Sequence, residues 1–324
     1  MRTLKLTIAY DGTAYAGWQF QFDKPTVQET LESAIAKVTG QRVRVLASGR
    51  TDAGVHALGQ VAAFRTNSAL PPDVLVRALN ANLPHDIAVL EAADAPADFH
   101  PIRHAVRKRY RYLIHDGPVR VVFGRHFVWH YPYGRLDAEA MQRAAAPLLG
   151  THDFRSFESS GAPRKTSVRT VYDLRVARGR AGQGSCAQNL PSPFGTGVGG
   201  EGGARGEGGT RGEGGAGDEA VGCVQRTTAP ETNVEHAAGA FLAPYGKEGR
   251  GGDENLITID IEANGFLYNM VRAIVGTLVP VGRGVQSESW PGEVLNAADR
   301  RVAGPTAPPQ GLCLMWVGYG GIGG

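Results

Sequence analysis

The chain has 324 residues, 42% of them hydrophobic, enough to bury a sizeable core, and its length fits about two domains. The 34 Lys and Arg against 31 Asp and Glu leave a formal charge of +3 and a pI near 8.8, a balance that does not by itself announce a nucleic-acid partner. Three cysteines, Cys186, Cys223 and Cys313, lack Cys-x-x-Cys spacing, which argues against a disulfide framework or a cysteine zinc site and fits a reducing compartment.

Met1 to Lys5 runs into a strand pattern without an apolar signal core, and no stretch is apolar enough to span a bilayer. The expectation is a soluble, cytoplasmic protein. Leu4, Thr7, Ile8 and Tyr10 lie in a β-rich run that turns at Asp11-Gly12. Tyr15-Ala16-Gly17-Trp18-Gln19 reads as aromatic hairpin packing beside a glycine. Thr26-Val27-Gln28-Glu29 is a capping box with Thr26 as N-cap, and Val27, Leu31, Ala34, Ile35 and Val38 follow at helical spacing up to Gly40. A strand is expected over Arg42 to Ala47 and another at Val61 to Phe64.

Between those strands lies Gly49-Arg50-Thr51-Asp52-Ala53-Gly54-Val55-His56-Ala57. Two glycines bracket one carboxylate, so the backbone turns sharply and Asp52 projects from the loop. A carboxylate held near a cation such as Arg50 keeps its charge and can serve as nucleophile or base. Taken alone, the loop also reads as a plain turn whose Asp caps its own backbone. Pro71-Pro72 opens a second helix with Val74, Leu75, Ala78 and Leu79, and Ile87 to Leu90 forms a strand. Strand, helix, strand, strand, helix, strand is the split βαβ order, an antiparallel sheet with both helices on one face. Its other face is expected to be free, and two such halves side by side would form a cleft there.

Phe99 to Asp116 is the most basic stretch: Arg103, His104, Arg107, Lys108, Arg109 and Arg111 interleave with Tyr110 and Tyr112. Basic groups meet phosphates and aromatic faces meet bases when looped RNA is gripped, although a charge-protected edge strand has the same composition. His100 and His104 are four apart, but Pro101 breaks any helix between them, so no metal pair is expected. Asp137 caps a helix through Met141, Ala144, Ala145 and Leu148 up to Gly150, and Thr170 to Val176 is a strand. From about 179 to 253 the chain is Gly-rich with recurring Gly-Glu-Gly-Gly, the composition of a disordered insertion. Ile257, Ile259 and Ile261 alternate with Thr258, Asp260 and Glu262, a half-buried strand. Met270, Val271, Ile274, Val275 and Leu278 then make a helical core face, with Arg272 off it. A helical Trp290-to-Ala298 segment and a strand at Leu312 to Tyr319 close the chain.

Several blocks resemble, in order, those of the TruA family of tRNA pseudouridine synthases: Tyr10 to Gln19, Gly49 to Ala57, Leu79 to Val89, Arg109-Tyr110-Arg111-Tyr112, Thr151 to Phe157 and Ala263 to Gly276. The resemblance implies an α/β (α+β) fold of two ferredoxin-like halves, 1–105 and 106–324, with antiparallel sheets joined across a central basic cleft. It implies an isomerase that converts uridine to pseudouridine in the anticodon stem-loop of tRNA, at positions 38 to 40 by tRNA convention, as a homodimer without cofactor or metal. In that reading Asp52 is the nucleophile, Arg272 pairs with it, and Tyr110 stacks on the flipped base and helps the C5 proton depart. Arg50, His56, Arg109 and Arg111 contact substrate, with Arg50 filling the gap the flipped nucleotide leaves. The family pattern Phe-x-Ala-Arg departs here to Phe99-His100-Pro101-Ile102-Arg103, displacing the arginine by one position. Two alternatives stay open: a non-catalytic RNA-binding relative, and a two-carboxylate glycosidic hydrolase with Asp86 or Asp153 as second acid.

Overall fold

The computed structural model describes residues 1–159, 161, 166–179 and 254–320. The glycine-rich stretch, except Gly179, therefore lies outside the described residues, as do Cys186 and Cys223. Strand β1 (Arg2–Tyr10) buries Leu4, Leu6, Ile8 and Tyr10 on one face. Helix α1 (Val27–Thr39) begins where the Thr26 hydroxyl accepts the Glu29 N–H at 3.4 Å. It ends at Gly40 in the left-handed region, φ 71°. Its Val27, Leu31, Ala34 and Ile35 join the same core as the β1 residues.

The strand expected over Arg42 to Ala47 shrinks to β2 (Leu46–Ala47), paired with Ala63 and Ala62. The cause is local. The Val45 N–H donates to the Glu32 carboxylate and its carbonyl accepts from Gln28, so α1 side chains take the bonds a ladder would need. Strand β3 (His56–Thr66), helix α2 (Pro72–Asn80) and strand β4 (Ile87–Ala95) complete the order read from the sequence. The strands lie as β4-β1-β3-β2, every pair antiparallel.

The same pattern recurs. Strand β5 (Ala105–His115) and helix α3 (Ala138–Ala145) lead to β8 (Val168–Arg178) and β9 (Leu256–Ala263). Helix α4 (Met270–Gly282) and strand β10 (Leu312–Tyr319) finish the set, with α5 (Trp290–Ala297) between them. Their order, β10-β5-β9-β8, is again antiparallel throughout. Short strands β6 (Trp129–His130) and β7 (Gly150–Asp153) pair with β5 and β8. The two sets join where β10 runs parallel to β3, Cys313 beside His56 and Leu314 beside Ala57. One sheet of ten strands results.

All eight residues of β9 are buried, so it is not the half-buried strand its alternation suggests. Its Asp260 and Glu262 meet arginines of β5 instead of water. Nor is the face opposite the helices free. Leu113, Cys313 and Met315 are covered there by Val121, Phe127 and Val128, while Val61 and Ala63 pack with Phe99. Ala57, Leu314 and Tyr110 of the central strands belong to the core on the helix-bearing face.

Candidate active site

The loop between β2 and β3 is held from below by the first residues of the chain. Trp18 N–H donates to the Thr51 carbonyl at 3.0 Å, and Gly54 N–H to the Tyr15 carbonyl at 3.3 Å. Tyr10 hydroxyl and Thr51 hydroxyl are bonded at 2.8 Å, and Gln60 bridges Ser48 and the Gly49 carbonyl at 2.7 and 2.9 Å. Gly17 is required: at φ 96°, a β-carbon on it would stand 2.6 Å from the Thr51 oxygen. The segment Tyr15 to Gln19, read from sequence as hairpin packing, is thus the cradle of the Asp52 loop. Sequence proximity gave no sign of it.

Asp52 faces Arg272, whose guanidinium nitrogen lies 3.4 Å from its carboxylate. Arg272 is held on two other sides, by the Ala307 carbonyl at 2.6 Å and the Asn269 side-chain oxygen at 2.9 Å. Asn269 sits at φ 60° before the first turn of α4 and donates to the Ser159 hydroxyl. Ala307 can approach because Gly276 and Gly304 have no side chains. A β-carbon on either would collide with the other segment's backbone. The arginine fork is therefore split between three partners, and its grip on Asp52 is a single contact. Asn269 and Gly276 lie in a family-like block but drew no reading of their own, and Ala307 lies in none; the folded crossing reveals their part.

Burial pushes the Asp52 carboxyl up, and the Arg272 charge and hydrogen bond pull it down by less. Arg272 acts in the direction the resemblance implies, towards the ionised form, but desolvation outweighs it and the net direction is upward. Tyr110 is buried, its ring edge-to-face with Phe266 at 5.0 Å. Burial, then the Tyr10 and Asp52 charges, push its hydroxyl far up, so it keeps its proton. That disfavours it as a base and leaves its ring as the useful surface. Arg50 is exposed, with no hydrogen bond or ion pair among the described residues.

The remaining predicted contacts lie elsewhere. His56 is 1% exposed; its Nδ1 sits between the Gly12 N–H (3.0 Å) and the Asp11 carboxylate (3.1 Å), and its ring packs on Phe127. It supports the loop from inside. Arg109 and Arg111 project from the face of β5 opposite Tyr110. Arg111 forms a two-pronged pair with Asp260 at 2.8 Å on both prongs. Arg109 pairs with Asp173 and Glu262, and Arg107 with Glu262. Their charges are matched by carboxylates of β8 and β9 on the face opposite Tyr110. Arg103 is exposed on the turn before β5.

Neither candidate second acid touches the Asp52–Arg272 pair. Asp86 accepts the Tyr15 hydroxyl at 2.7 Å, and Asp153 pairs with Arg155 at 2.9 Å. His100 and His104 each take backbone N–H groups on Nδ1, and no group of three metal-binding side chains occurs among the described residues. No helix among them is long and apolar enough to cross a membrane.

The family model described as tRNA pseudouridine synthase matches residues 6–102 and 144–320. Among curated proteins, the chain is 38% identical to "tRNA pseudouridine synthase A" of Thermoanaerobacter sp. over 319 residues, covering 98% of this chain and 100% of that one. A protein of the same name from Acetivibrio thermocellus is 37% identical over 320 residues, again covering 98% and 100%. Another, from Pelobacter propionicus, is 38% identical over 319 residues with the same coverage.

Proposed function

This chain belongs to the tRNA pseudouridine synthase family, and we propose that it isomerises uridine in the anticodon stem-loop of tRNA, at positions 38 to 40, with Asp52 as nucleophile. The observation that carries the reading is the Asp52 carboxylate set on a braced loop, facing Arg272 and beside the Tyr110 ring. The reaction breaks the N1–C1′ bond, forms C5–C1′, moves one proton from C5 and places one on N1. It requires neither an oxidant nor a nucleotide energy source. Something must hold the fragments while the glycosidic bond is absent. An ionised Asp52 does so by attack on C1′ or on uracil C6, or by taking a ribose proton; each route needs the charged carboxylate.

The residues divide the work. Arg272 orients Asp52 and favours its charged form against the desolvation that opposes it. Tyr110 presents an aromatic surface for a base turned out of its stack. Arg50, exposed at the loop tip, fills the space that base vacates. His56 acts through the loop, as a positioning residue. The two strand sets, 1–105 and 106–324, serve as two domains meeting at this site, in a cytoplasmic homodimer. The test is a pseudouridine assay on bulk tRNA with wild-type and Asp52→Asn protein. Isomerised uridine from the wild type alone supports the reading; free uracil would mark a glycosidic hydrolase, and unchanged RNA a binding protein without turnover.

A further inference from the structure

One cation near the loop has no counterpart in the paired lattice of the opposite face. Lys108 is the second basic side chain of β5 and projects, like Tyr110, to the site face. It is partly buried. Its ammonium donates to the Ser48 carbonyl at 2.6 Å, at the start of the Asp52 loop, and this is its single hydrogen bond among the described residues. No carboxylate among them pairs with it, whereas Arg107, Arg109 and Arg111 all have one. Desolvation, then the positive charge of Arg169 on β8, lower its pKa to about 8. Gly49 keeps the ammonium uncovered: a β-carbon there would stand 3.1 Å from it. An ammonium has three donors, and here two remain to be used.

We propose that Lys108 binds a backbone phosphate of the RNA strand that presents the target uridine, at the Ser48–Gly49 end of the loop that carries Asp52. The inference rests on the functional reading above and deepens it. A fold has no structural reason to keep a half-desolvated cation next to a second cation. A phosphate supplies the missing counter-charge, restores the lysine to its protonated form and fixes the strand relative to Asp52 through Ser48. Arg169 of β8 is the charged group that acts on it, and Tyr110 shares its face two residues along β5; Arg107, Arg109 and Glu262 belong to the other face.

The test compares wild type, Lys108→Met and Lys108→Arg for tRNA affinity against salt, tRNA affinity against pH, thermal midpoint, and KM against kcat. Lys108→Met is expected to weaken tRNA binding about tenfold near 0.1 M salt and to flatten the salt slope by about one unit. The loss falls on KM more than on kcat, and the thermal midpoint rises, because a desolvated charge has gone. Lys108→Arg restores the salt slope. Wild-type affinity declines as pH passes about 8, where the lysine loses its proton, and Lys108→Arg affinity does not. Wild-type affinity and slope in Lys108→Met, with kcat reduced, would overturn the proposal and make Lys108 an anchor for the Ser48 carbonyl. Should Lys108→Met not fold, the pH dependence of Lys108→Arg against wild type decides alone. Wild type that binds tRNA but makes no pseudouridine would overturn the functional reading and leave the salt slope to judge this one.

Discussion

The two faces of strand β5 carry the same kind of side chain for opposite purposes. On one, Arg107, Arg109 and Arg111 are matched by Glu262, Asp173 and Asp260 across the ladder. On the other, Tyr110 lies near Asp52 and Lys108 reaches the Ser48 carbonyl at the start of the Asp52 loop, and no carboxylate among the described residues pairs with the lysine. The first arrangement is architecture: charge-assisted pairs that let polar strands be buried. The second is the one the proposed phosphate would complete. Counting basic residues along the strand cannot separate them; asking which charges are already neutralised does.

The comparison is broken most heavily at Arg111. Arg111→Met leaves Asp260, only 9% exposed in its side chain, as a buried carboxylate without its partner. That should cost about 3–5 kcal/mol of stability, read by denaturant unfolding, while the salt slope of tRNA binding barely changes. A flattened slope with unchanged stability would put Arg111 in the RNA interface after all.

Across the strand, Arg272→Gln should lower turnover about a hundredfold, roughly 2.7 kcal/mol in the barrier, with tRNA affinity little altered. Arg272→Lys should retain more of it than a two-pronged contact would allow, because Arg272 gives Asp52 only one nitrogen. An equal collapse in both variants would show that the fork closes on Asp52 when RNA binds.

The pH dependence follows from the raised Asp52 carboxyl. The acid limb of kcat/KM should lie above the ordinary aspartate value of about 3.9, and should move higher still in Arg272→Gln. The sign for stability runs with it. A carboxyl whose folded pKa exceeds its unfolded one contributes fully below the unfolded value, and that contribution disappears as pH rises through the folded value. Asp52 therefore costs stability at neutral pH, and Asp52→Asn should melt no lower than wild type. An acid limb below about 3.9 would contradict this. The smallest effect is expected from Tyr110→Phe, within about fivefold in kcat, because a hydroxyl that holds its proton this firmly is not the base. A loss of a thousandfold would return proton transfer to that hydroxyl.

Much of the architecture was legible because it is written locally. The Thr26 cap, the Gly40 stop and the alternation of β1 and β10 each depend on a few neighbouring residues. What failed depended on partners distant in the chain. The run Arg42 to Ala47 has strand character, but Glu32 and Gln28 take its hydrogen bonds. The polar residues of β9 look solvated until the β5 arginines, more than 140 positions away, are set beside them. The pairing of Arg272 with Asp52 was expected through family resemblance, and the two groups lie 3.4 Å apart. The brace around Arg272 was not legible, because Asn269, Gly276 and Ala307 are ordinary residues whose meaning lies in one close crossing.

The central claim is that one carboxylate on a braced loop performs the isomerisation while other groups hold the RNA. It is tested most directly by single-turnover pseudouridine formation in Asp52→Asn, with tRNA affinity measured on the same preparation. The account predicts no detectable pseudouridine and a dissociation constant within about threefold of wild type, since binding is carried by phosphate contacts that Asp52 does not make. Pseudouridine accumulating at a substantial fraction of the wild-type rate would contradict it.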